Sequence, residues 1–60
     1  MSTTGKLLIA ERLATLADDM REIAELMRQH PDAEFHRHIR DIGIAAHVAD
    51  QWAKELERFA

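Results

Sequence analysis

Four histidines and eleven acidic side chains are the groups in this chain with the chemistry to bind metal or move protons. His36-Arg37-His38 and the pairs His38/Asp41 and His47/Asp50 have the three-residue spacing at which two helical side chains approach one ligand. On a helical wheel of about 100° per residue, however, His36 and His47 fall on a polar face, His38 beside an apolar stripe and His30 at a turn. The four do not converge, and no Glu-x-x-His pair of the kind used by di-iron bundles is present. The expectation is no metal and no other cofactor. His38, at the edge of the stripe, would make association sensitive to pH over about 5–7; a ring that packs while its nitrogens reach water or Glu34 is the simpler account.

Catalysis has little to stand on. There is no cysteine, Ser2 is the only serine and lies at the very start, and no glycine-rich phosphate loop occurs. Asp18, Asp19, Glu22 and Glu25 mostly belong to the exposed side of a helix, so the chain is not expected to be an enzyme.

Binding offers more. His36, Arg40, Gly43, His47, Asp50 and Lys54 follow one another at spacings of 4, 3, 4, 3 and 4, a single polar line on a helix. A glycine inside a helix costs about 1 kcal/mol relative to alanine, and it is tolerated where something approaches closely, so His36, Arg40, Gly43 and His47 form a candidate partner-docking surface. The plain alternative is a solvated face with one poor helix former. Arg37 and Arg40 are the candidate nucleic-acid contacts. Asp32, Glu34 and Asp41 surround them, and the first half of the chain has no aromatic residue for base stacking, so nucleic-acid binding is possible but disfavoured.

These residues are positioned by two helices. Ile9, Leu13, Leu16, Met20, Ile23, Met27 and His30 are spaced by 4, 3, 4, 3, 4 and 3 residues, the a/d pattern of a packed helix. Phe35, Ile39, Ile42, Ala46, Ala49, Ala53, Leu56 and Ala60 repeat it. Ser2, Thr3 or Thr4 supplies an N-cap oxygen for the first helix, with Gly5 in its first turn. Pro31 pushes His30 out of helical geometry and starts the second helix, while Asp32 and Glu34 place negative charge at that helix's positive end. The expectation is one all-α domain over residues 1–60, an antiparallel αα-hairpin with a helix over about 4–29, a turn at 30–32 and a helix over about 33–59. The expected core is Ile9, Leu13, Leu16, Met20, Ile23, Met27, Phe35, Ile39, Ile42, Ala46, Ala49, Ala53 and Leu56.

A domain of about 60 residues buries only about 60% of its unfolded surface and needs a supplement to its core. With no cysteine, the supplement is another chain. The second helix carries an additional apolar line, Ala45, Trp52 and Phe59, with Val48 and Ile44 further round, which widens its apolar arc to nearly half the circumference and implies burial on two sides. Ile44, Val48, Trp52 and Phe59 are the expected dimer interface. Ala10, Ala17 and Ala24, seven apart, offer a close-packing surface on the first helix to match Ala46, Ala49 and Ala53, although the reverse division of faces has similar sequence support. A homodimeric four-helix bundle is expected.

Only four apolar residues, Leu7 to Ala10, precede Glu11, too few for a signal peptide, and the run from Ile42 to Ala46 is far short of the roughly 18 residues of a membrane span. With a net charge of −3 and acids outnumbering bases in both halves, the expected setting is cytoplasmic, with no membrane and no basic arm.

In length and layout the chain resembles the Rop family of small RNA-binding helical hairpins that dimerise into four-helix bundles, without a shared motif. That resemblance implies the bundle and, as an alternative function, nucleic-acid binding. The first expectation is a small regulatory or adaptor protein acting through a protein partner; a structural subunit of a larger helical complex is a further alternative.

Overall fold

The computed structural model describes residues 3–58. Two long helices run antiparallel, α1 (Thr3–Gln29) and α3 (Ile39–Arg58), joined through a single short turn of helix, α2 (Ala33–His36). No strand occurs among the described residues. The hairpin expected from the 4/3 spacing is the observed architecture. The first of the expected N-cap residues, Ser2, lies outside the described residues, as does Phe59.

The second helix is not continuous over the expected range. Asp32 caps α2 through Oδ1, which accepts the Glu34 N–H at 3.0 Å, and Phe35 and His38 close i to i+3 bonds onto the carbonyls of Asp32 and Phe35. The α pattern resumes only where the Ile42 N–H reaches the His38 carbonyl at 3.0 Å. Hydrogen bonds back to the end of α1 favour this tight turn. The Asp32 N–H donates to His30 Nδ1 at 3.1 Å, and the His36 ring donates through Nε2 to the His30 carbonyl at 2.9 Å. The Phe35 ring meets the His30 ring edge-on, with centroids 4.7 Å apart. Arg37 remains in right-handed helical geometry, so the interruption tightens the path without reversing it.

The core keeps Ala46, Ala49 and Ala53 of the expected set and differs from the rest of it in a consistent way. Every fully buried residue among those described is alanine: Ala10, Ala17 and Ala24 on α1, and Ala46, Ala49 and Ala53 on α3. Ala17, completely inaccessible, packs with Ala46 and Ala49, and Leu13 and Met20 lean over them. The close approach allowed by alanine on both sides turns α1 about its axis, so its small residues face α3 and its larger ones point to one side. Ile9, Leu16, Ile23 and Phe35, all expected in the core, are therefore exposed, and Leu13, Met20, Met27, Ile39, Ile42 and Leu56 are half-buried. Six buried methyl groups at about 0.8 kcal/mol each equal only two or three buried leucines. The hairpin has a tight seam and a small core.

Candidate functional site

The two flanks of the seam differ. On one, Arg21 of α1 forms an ion pair across to Asp50 of α3 and also reaches Asp18 at 3.3 Å. The Arg21 hydrogen bond holds the Asp50 carboxyl below the usual carboxylate range, and the same bond raises the Arg21 guanidinium. A lowered carboxyl stabilises the fold above its unfolded pKa and ceases to do so as pH falls through the folded value. Wild-type hairpin should lose a small increment of stability under acid titration below the ordinary carboxylate range, and Asp50→Asn should lack that increment in the same circular-dichroism measurement.

The other flank is mainly apolar, with Arg12 and Glu55 among its lining residues. Ile9, Leu16 and Ile23 recur every seven residues on α1 and stand exposed, Leu16 at 46% of its surface. Trp52, 56% exposed, joins them from α3, lining one open depression with Ile9, Leu13, Glu55 and Leu56. A second depression lies towards the start of α1, between Leu8, Ile9, Arg12, Leu13 and Leu16, and a third at the turn, between Ile23, Leu26, Met27, His30 and Phe35. The a/d stripe read from the sequence is thus real, but it forms an outward face.

The predicted interface residues take different places relative to that face. Trp52 is part of it, Val48 is half-buried beside the seam, and Ile44, 52% exposed, lies further round on the outer edge of α3. Of the two divisions of faces weighed above, the one with Ala10, Ala17 and Ala24 against Ala46, Ala49 and Ala53 is observed, and it turns outward Ile9, Leu16 and Ile23, which were expected inside. Sequence reasoning missed the Arg21–Asp50 link, because Asp50 was assigned to the polar line of α3.

That polar line is only partly preserved. His36 sits in α2 with its ring engaged by the His30 carbonyl, whereas Arg40, Gly43 and His47 remain together on the exposed side of α3. A methyl group built at Gly43 would meet nothing within 4 Å. Within the hairpin, then, nothing requires the glycine, and Gly43→Ala should raise stability by about 1 kcal/mol in thermal melts. Arg37 and Arg40 are both exposed, on either side of the start of α3. His38, expected at the core edge, is exposed as well, because the tight turn at Phe35 to His38 lifts it away from the seam.

Compared with known proteins, the chain matches no family model, no curated protein and no solved structure. The likeness to Rop-type hairpins is therefore one of layout alone. Among the described residues no three histidine or acidic side chains gather as metal ligands, and no helix is long and apolar enough to cross a membrane.

Proposed function

We propose that this chain is a non-enzymatic interaction module, a small regulatory or adaptor protein of the cytoplasm that works as a dimeric four-helix bundle and binds a protein partner. The observation supporting this is the exposed apolar face from Ile9 to Met27 with Trp52 and Leu56, set against a seam in which only alanine is fully buried. A contiguous face of that kind marks an association surface. Association supplies the burial that so small a core lacks, and the opposite side of α3, with Arg40, Gly43 and His47, stays outside the bundle for the partner.

Sedimentation equilibrium over a wide concentration range, with Trp52 fluorescence followed in the same samples, tests this. A discrete dimer with a blue-shifted Trp52 emission is expected. A monomer with water-exposed Trp52 at every concentration would overturn self-association.

A further inference from the structure

Resting on that reading, we infer that a second copy of this chain covers the apolar face in one orientation, with α1 antiparallel to the partner's α1 and α3 antiparallel to the partner's α3. The dimer is related by a two-fold axis that crosses the helices at Leu16 and Val48.

The spacing of residues on the face carries the argument. Ile9 and Ile23 lie seven residues either side of Leu16, so an axis at Leu16 sets Ile9 against the partner's Ile23 and Leu16 against the partner's Leu16. The level of Leu16 on α3 follows from the seam: Ala17 packs between Ala46 and Ala49, which places Val48 opposite Leu16. An axis at Val48 sets Trp52, four residues after it, level with the partner's Ile44 and one residue from its Ala45, so that the indole is covered twice in the dimer.

Charge agrees on α1. Arg12 and Asp19 occupy the outer rim, four residues before Leu16 and three after it, so the axis brings each to within one residue of its opposite charge on the partner. The competing arrangement lays α1 on the partner's α3. At the levels of Ile9 and Ile23, α3 presents Glu55 beside Leu56 and Asp41 beside Ile42, so that packing brings a carboxylate to each isoleucine. In the inferred dimer those carboxylates lie on the line of Val48, Asp41 facing the partner's Glu55 as a like pair within α3's share of the contact.

The available area suffices. The hairpin is 45 Å long, and two helices side by side are about 20 Å wide, giving a face of about 800–900 Å², the area a standard stable interface buries on each partner.

The acidic pair supplies the sharpest test. Glu55→Lys turns repulsion from the partner's Asp41 into attraction, so sedimentation should show a dimer roughly tenfold tighter. In the competing arrangement Glu55 lies near the partner's Arg12, and the same substitution loosens the dimer. Independently, Leu16→Cys should form a disulfide-linked dimer under mild oxidation, because residues facing across the axis come within the Cα separation of about 4.4–6.8 Å that a disulfide needs. Val48→Cys repeats the test at a second position should the first variant fail to fold. A wild-type dimer in which neither cysteine cross-links and Glu55→Lys loosens association overturns the orientation and leaves dimerisation standing. A wild-type monomer overturns both.

Discussion

Ala17→Leu is expected to lower the stability of the hairpin by about 3 kcal/mol or more, with a fall in melting temperature on the order of 15 °C. Ala17 is completely inaccessible and packed with Ala46 and Ala49, at the centre of the contact between α1 and α3. Three added carbons have no space at that point without forcing the helices apart, and separation would undo the packing of Ala10 and Ala24 along the same line. Leucine is itself a good helix former, so the loss does not come from propensity. Thr15→Leu, two residues away on the exposed side of α1, is the control: it places the same side chain where nothing is packed, gives up only a hydroxyl bond to the Glu11 carbonyl of its own helix, and should change little. Circular-dichroism melts of the two variants beside wild type measure the difference.

Leu16→Ala is expected to act almost wholly on association. In the single hairpin Leu16 is 46% exposed, so truncating it removes little burial there. At the proposed two-fold axis it is covered by its own copy, and each substitution counts twice per dimer. Leucine-to-alanine changes in closed cores cost about 2–5 kcal/mol, so even the low end applied twice weakens the dimer about a thousandfold. Sedimentation equilibrium reads that shift directly. Wild type should also melt at higher temperature as its concentration rises, and Leu16→Ala should lose that dependence at the same concentrations. An unchanged dimer would remove Leu16 from the interface.

The two long elements were legible in the sequence because the 4/3 spacing of apolar residues reports a helix whichever neighbour its stripe meets. Pro31 with Asp32 marked the turn for reasons local to the backbone. What periodicity alone does not determine is which edge of a wide stripe turns inward. Ile9, Leu16 and Ile23 lie about 100° round the wheel from Ala10, Ala17 and Ala24, with Leu13 and Met20 between them, and hydrophobicity favours the larger set for a core. Closeness of approach decided for the smaller set, and that depends on both helices offering alanine at the same level. The break after His36 was hidden for a similar reason: no proline or glycine marks it, and it arises from hydrogen bonds back to His30. Asp50 looked like one more member of a polar line because its partner, Arg21, is distant in sequence and near only once the alanines have met.

The all-alanine seam has one more consequence. Ala10, Ala17 and Ala24 repeat every seven residues, as do Ala46 and Ala53, and alanine has no side-chain rotamer to lock against a particular neighbour. A slide of one helix past the other by a heptad, about 10.5 Å, would again bring alanine onto alanine over much of the contact. Shape along the seam distinguishes poorly between such alignments. The ladder is held at its rung by the hydrogen-bonded turn between Gln29 and Ile39 and by the Arg21–Asp50 clasp, so the alignment of the hairpin is encoded at its end and on its flank.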